Sequence, residues 1–119
     1  MYLEKLRLDG RVAVVTGAGQ GIGAASARAL GEAGATVIVA DVVPERVTKT
    51  VAELKALGIK ASGIELDVVK SADVDRVAAE IEKAHGPASI LVNNAGIVKS
   101  DIKAEDMSDE LWKSHIDVN

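Results

Sequence analysis

The chain has no cysteine in its 119 residues, which excludes a disulfide framework, a thiolate nucleophile and a zinc site built on Cys, and fits a cytoplasmic setting. No apolar run approaches the roughly 20 residues needed to span a bilayer, and Met1-Tyr2-Leu3-Glu4-Lys5 lacks the apolar core of a signal peptide. The 14 basic residues are dispersed among 18 acidic ones, so the basic stripe of a nucleic-acid binder is missing. Neither nucleic acid nor a membrane is expected as a partner. With 48% hydrophobic and 27% charged residues, disorder is excluded as well. What remains is one globular domain over residues 1–119, long enough to bury roughly two-thirds of the surface its unfolded form exposes.

Four apolar, β-branched runs alternate with longer segments of helical periodicity. Val12 to Val15, Thr36 to Ala40, Ala61 to Leu66 and Ile90 to Val92 read as strands. Gln20 to Ala33, Pro44 to Leu57 and Ser71 to Ala84 read as helices, followed by Gly34, Gly58 and Gly86 as stops. Ser71 suits a side-chain N-cap, and Pro44 suits the first helical position through its fixed φ. A last helix is expected from near Ser108, with Asp109 and Glu110 in its first turn, through Trp112 and Ile116. Such alternation calls for parallel strands with right-handed crossovers, and strands without polar alternation fit a sheet covered on both faces. The expected fold class is α/β, a Rossmann-type doubly wound parallel sheet truncated to about four strands in the order 3-2-1-4. The fourth strand would then be an open edge, a template for pairing with another chain.

The most informative segment is Val15-Thr16-Gly17-Ala18-Gly19-Gln20-Gly21-Ile22-Gly23, where a strand ends in a glycine-rich turn that opens into a helix. Glycines let the backbone bend sharply and approach a pyrophosphate closely. The free N–H groups and positive dipole end of the following helix attract its charge. Gly17, Gly19, Gln20, Gly21, Ile22 and Gly23 are the candidate cradle; a plain tight connection is the alternative. Asp41, at the end of the second strand, stands where a carboxylate meets an adenosine ribose, or else is a strand-end turn residue or helix cap. In the first role it would accept the ribose hydroxyls and repel a 2′-phosphate, and neither Val42 nor Val43 softens that repulsion with a cation. NAD is therefore expected in preference to NADP.

Counted from Gly17, the strict Gly-x-Gly-x-x-Gly pattern fails at Ile22. A better match is Thr16-Gly17-x-x-x-Gly21-Ile22-Gly23 preceded by Leu8-Asp9-Gly10-Arg11-Val12-Ala13-Val14-Val15, together with Asn93-Asn94-Ala95-Gly96 after the fourth strand. These two motifs resemble those of the short-chain dehydrogenase/reductase family, and the resemblance covers essentially the whole chain. It implies that Gly17, Gly21, Ile22 and Gly23 surround the pyrophosphate and that Asp67 with Val68 binds the adenine. It places Asn93, Ala95 and Gly96 beneath the middle of the cofactor, with Asn93 also tying strands together. Asp117-Val118-Asn119 looks like the end of the helix carrying the family's active-site asparagine, so Asn119 would hold a water in a proton relay through its backbone.

The family pattern continues with a serine that polarises a substrate carbonyl and a Tyr-x-x-x-Lys, and none of these can be placed here. The only tyrosine is Tyr2, without a lysine four residues on; Ser100 and Ser108 read as loop and cap residues. Because acid–base groups supply a factor of about 10² to 10⁴, turnover by these residues alone is expected to be negligible. A small alcohol or ketone is implied as substrate only for a longer form. The alternative is a non-catalytic or engineered dinucleotide-binding half-domain that self-associates through its open strand. A flavodoxin-like signalling domain would require Asn93-Asn94-Ala95-Gly96 to be coincidental. His85 and His115 have no metal-ligand company and read as a helix-end cation and a residue on an exposed face. Lys99 to Asp106 reads as a solvated loop. Trp112 reads as a packing residue, with an interface as its alternative, and the last helix is where the resemblance allows a homo-oligomer.

Overall fold

The computed structural model describes residues 1–99 and 101–119; Ser100, expected in a loop, lies outside them. The elements in chain order are α1 (Tyr2–Lys5), β1 (Val12–Thr16), α2 (Gly21–Glu32), β2 (Thr36–Asp41), α3 (Pro44–Ala56), β3 (Ala61–Glu65), α4 (Ser71–His85), β4 (Ile90–Val92), a 3₁₀ turn (Ala104–Asp106) and α5 (Asp109–Val118). The strands form one parallel sheet in the order β3-β2-β1-β4. Val14 in the centre pairs with Ile38 on one side and Leu91 on the other. This is the Rossmann-like α/β arrangement expected from the alternation of strands and helices.

Because side chains alternate across a strand, the apolar runs of β1 and β2 supply two cores. Ala13, Val15, Val37 and Val39 pack with Ala27 of α2 and with Val47 and Leu54 of α3. Val12, Val14, Ile38 and Ala40 face the other way, against Leu66 and against Val77 and Ile81 of α4. The helices therefore lie on both faces, and neither inner strand has a wet side. Ile38 and Val15 are among the largest side chains that are fully buried.

The helix ends follow the chain's punctuation with one exception. Pro44 occupies the first turn of α3. Ser108 caps α5, its hydroxyl accepting from the Leu111 N–H at 3.2 Å. Ser71, expected as a cap, is instead the first residue of α4, and Lys70 holds the cap position without a side-chain bond. The reason lies upstream: Lys70 N–H is already turned back onto the Asp67 carbonyl at 3.1 Å, which starts the helix one residue before Ser71 acts. Part of the 99–106 stretch expected as plain loop forms the 3₁₀ turn. At the sheet's margin β4 pairs, among the described residues, only with β1, and Leu91 is 61% exposed.

This arrangement makes two apolar truncations unequal. Ile38→Ala should lower the unfolding free energy by about 2–5 kcal/mol, whereas Leu91→Ala at the open edge should change it by about 0.5 kcal/mol or less. Urea unfolding followed by far-ultraviolet circular dichroism checks both; comparable losses would contradict the two-sided core.

Candidate functional site

The carboxyl end of β1 is joined to the segment after β4 by one threonine and one asparagine. Thr16, 6% exposed, accepts from the N–H groups of Asn94 (3.1 Å) and Ala95 (3.0 Å) through Oγ1, and donates to the Val92 carbonyl at 3.4 Å. In return Asn94 Nδ2 donates to the carbonyls of Thr16 (3.1 Å) and Gly17 (3.2 Å). The strand-tying role expected of Asn93 thus falls to Asn94. Asn93 is exposed, because one residue past β4 the side-chain alternation turns it away from the junction.

The junction leaves no room for side chains on the turn. Gly17 has φ +62°, and a Cβ there would lie 2.9 Å from Ala95 Cα. A Cβ on Gly23 would strike the Gly17 carbonyl and come within 2.5 Å of Asn94 Nδ2. Gly21 begins α2 and Gln20 precedes it in extended conformation, with no side-chain cap bond. The first-turn amides of α2, at Gly21, Ile22 and Gly23, have no intrahelical acceptors, and Ile22 is 79% exposed. Chemically this is a positively polarised backbone surface, suited to an anion.

Asp41 borders the turn. Only 6% exposed, its carboxylate accepts from the Gly19 N–H at 2.9 Å and the Val43 N–H at 3.0 Å. The turn-stabilising alternative for Asp41 is therefore realised, and each oxygen keeps a further lone pair. Thr50 of α3, which sequence reasoning missed, donates its buried hydroxyl to the Gly19 carbonyl at 3.1 Å. Gly19 is thus held through both of its flanking peptides. A lone mid-helix threonine carries no sequence signal for this; only the packing of α3 on the turn reveals it.

Asp67 and Val68 follow β3. Asp67 accepts from the Val69 N–H at 3.1 Å, and its own N–H donates to the Asp73 carboxylate at 2.8 Å. Asp73 also takes Arg76 in a salt bridge at 2.6 Å, and Arg76 reaches the Glu65 carbonyl at 3.2 Å. The Asp67 N–H first, and then Arg76, hold the Asp73 carboxyl below its ordinary range. Val68 packs against the core on the α4 face. Between α4 and the β1–β4 face lies a largely apolar cavity of about 570 Å³, lined by Val14, Leu66, Val77, Ile81 and Leu91, with Val68 and Asn93 also contributing.

Past Gly96 the chain is braced by the end of α5. Asn119 Oδ1 accepts from the Ile97 N–H at 2.8 Å, and Nδ2 donates to the Ile97 carbonyl at 3.0 Å. Asn119 is thus brought to the same segment as Ala95 and Gly96, and a Cβ on Gly96 would lie 3.3 Å from Asn119 Oδ1. His115, expected on an exposed face, is half-buried with Nδ1 2.8 Å from the Leu111 carbonyl. The packing expected of Trp112 is not realised: it is 62% exposed, since α5 turns Leu111, Ser114 and Val118 inward instead. Among the described residues no helix is long and apolar enough to cross a membrane.

Comparison with known proteins converges on one family. The profile of the short chain dehydrogenase family matches residues 11–119. The 2,3-dihydro-2,3-dihydroxybenzoate dehydrogenase of Bacillus subtilis (strain 168) is 42% identical over 112 residues, which cover 94% of this chain and 42% of that protein. Among solved structures, gox2181 superposes with a TM-score of 0.95 at 45% identity, covering 99% of this chain and 46% of the other. A gluconate 5-dehydrogenase from Burkholderia cenocepacia J2315, in complex with NADP and tartrate, superposes with a TM-score of 0.90 at 35% identity, covering 99% and 46%. The chain spans less than half the length of these relatives.

Two substitutions test the local geometry. Asn94→Ala strips the Thr16 and Gly17 carbonyls of their donor and should cost about 1–3 kcal/mol in urea unfolding; Asn93→Ala should cost less than about 0.5 kcal/mol, and equal losses would refute the assignment of the tie to Asn94. The second concerns pH. A depressed carboxyl stabilises the fold above its unfolded value, near the 3.8 of a free aspartate, and that contribution is lost as pH falls through the lower folded value. Asp73→Asn should therefore lower the thermal midpoint at neutral pH, and the gap to the parent chain should begin to narrow as pH falls below about 4. A gap that does not narrow as pH falls below about 4 would show that Asp73 does not act through its charge.

Proposed function

Because the chain belongs to the short-chain dehydrogenase family, we propose that residues 1–119 form the nicotinamide-dinucleotide half of an oxidoreductase acting between a secondary alcohol and a ketone. The single observation carrying this reading is the crevice at the carboxyl ends of β1 and β4. There the strand order reverses, the glycine turn exposes the α2 amides and Asp41 stands at the rim. The residues fit the group: the space that a Cβ on Gly17 or Gly23 would occupy is already filled by backbone and by Asn94, so a dinucleotide's phosphates meet bare N–H groups.

In this reading Gly17, Gly19, Gln20, Gly21, Ile22 and Gly23 take the pyrophosphate, Asp41 the adenosine ribose, and Asp67 with Val68 the adenine. Asn93, Ala95 and Gly96 form the floor under the middle of the cofactor. When bound, the nicotinamide ring supplies or accepts the hydride. The chain's part is to orient that ring: Thr16 and Asn94 fix the floor relative to the turn, and Asn119, braced on Ile97, sets the backbone carbonyl that would hold a relay water. Asp41 favours NAD, since its charge would accept the ribose hydroxyls and oppose a 2′-phosphate. The relative from Burkholderia cenocepacia holds NADP, which makes NADP the informative competitor.

Calorimetric titration of the 119-residue chain should show saturable binding of NAD and ADP-ribose, with NADP weaker by about tenfold, the equivalent of about 1.4 kcal/mol. Asp41→Ala should weaken NAD by about tenfold or more, within the range of a lost charge-assisted hydrogen bond, and narrow the preference over NADP. A folded chain that binds none of the three would refute the cofactor reading, and an unchanged preference in the variant would remove Asp41 from the ribose role.

A further inference from the structure

The buried face of α3 is apolar but for one side chain. Val47, Thr50 and Leu54 follow one another along it, and Val47 and Leu54 belong to the core shared with β1 and β2. Thr50 is 3% exposed, in a place where a valine of the same shape would bury no polar group. Thr48, exposed on the same helix, shows the default of a helical threonine, its hydroxyl donating back to the Pro44 carbonyl at 3.1 Å. Thr50 instead sends its hydroxyl to the Gly19 carbonyl at 3.1 Å, 31 residues away in sequence. Among the described residues nothing else donates to that oxygen.

The Gly19 carbonyl belongs to the peptide that leads into Gln20. Because this peptide is trans and planar, an oxygen held towards α3 turns the Gln20 N–H to the opposite side, where no acceptor among the described residues takes it. Gln20 is exposed and stands immediately ahead of the first-turn amides of α2. A peptide next to glycine is free to turn over. Turned over, it would present a carbonyl oxygen where the amide now stands, and an anion would be repelled rather than bound.

We propose that Thr50 is a positioning residue for the anion: it fixes the Gly19–Gln20 peptide with its oxygen inward, and so adds the Gln20 N–H to the α2 amides that meet the pyrophosphate. The inference rests on the dinucleotide reading of the crevice and gives a residue in the core of α3 a part in ligand affinity.

The test is titration of the parent chain, Thr50→Val, Thr50→Ser and Val51→Ala with NAD and with ADP-ribose, after urea unfolding of each. Thr50→Val keeps the shape and removes the donor, and should weaken both ligands about tenfold, the loss of one charge-assisted hydrogen bond. Thr50→Ser returns the donor and should recover most of that loss. Val51→Ala removes an apolar contact from the same helix, and should lower the urea midpoint while leaving both affinities at the parent value. Parent affinities in a folded Thr50→Val, equal weakening in Thr50→Val and Thr50→Ser, or equal weakening in Thr50→Val and Val51→Ala would each overturn the role of Thr50 and leave the cofactor reading standing. Should Thr50→Val not fold, Thr50→Ala takes its place in the comparison; if neither folds, the hydroxyl serves folding alone and the role is likewise overturned. A folded parent chain that binds neither ligand would overturn the cofactor reading and this inference together.

Discussion

The lashing of Thr16 and Gly17 to Asn94 and Ala95 is the constraint on which the rest depends. A parallel sheet whose strand order reverses has a gap at the reversal, because the loops leaving β1 and β4 run to opposite faces. Here that gap is spanned by one hydroxyl and one carboxamide, which satisfy each other's neighbouring backbone. The hydroxyl serves as acceptor for two amides and donor to one carbonyl, so a single buried side chain sets the distance between the two loops. With that distance set, the turn lies against Ala95, and Gly17 and Gly23 have to be glycine.

From this junction the structure builds outward. The sheet is rigid because both faces of β1 and β2 are dry, which requires β-branched residues at successive positions rather than alternation. On that floor the turn is held at its far side by Asp41 and Thr50, which grip the N–H and the carbonyl of Gly19, one on each of the two peptides flanking its Cα. The first-turn amides of α2, at Gly21, Ile22 and Gly23, are left with no partner in their own helix. A surface that must bind an anion repeatedly benefits from being assembled before the anion arrives, and the clamps on Gly19 and Gly17 provide that order without covering the amides.

Strand positions, helix stops and the glycine turn were legible because they are local: β-branched runs, Gly34, Gly58 and Gly86, and the spacing of Gly17, Gly21 and Gly23 each announce themselves within a few residues. The two motifs of the family resemblance were legible for the same reason. What escaped the sequence depends on contacts made across it. Asn93 and Asn94 are adjacent and chemically identical, and only the pleat decides which one reaches β1. Thr50 is one threonine in an amphipathic helix until α3 packs on the turn. Asp73 gains meaning from the Asp67 amide six residues earlier, and Trp112 reads as a packing residue until the half-burial of Leu111, Ser114 and Val118 turns it outward.

The central claim, that the crevice at the β1–β4 reversal is a dinucleotide site, is tested most directly by mapping backbone amide shifts in nuclear magnetic resonance spectra of the isotope-labelled chain as NAD is added. The account predicts saturable shifts concentrated at Gly17 to Gly23, at Asp41 to Val43, at Asp67 and Val68 and at Asn93 to Gly96, with the α4 flank at Val74 to Ile81 unmoved. Shifts centred instead on the apolar cavity beneath α4, or a spectrum unchanged at saturating NAD, would contradict it.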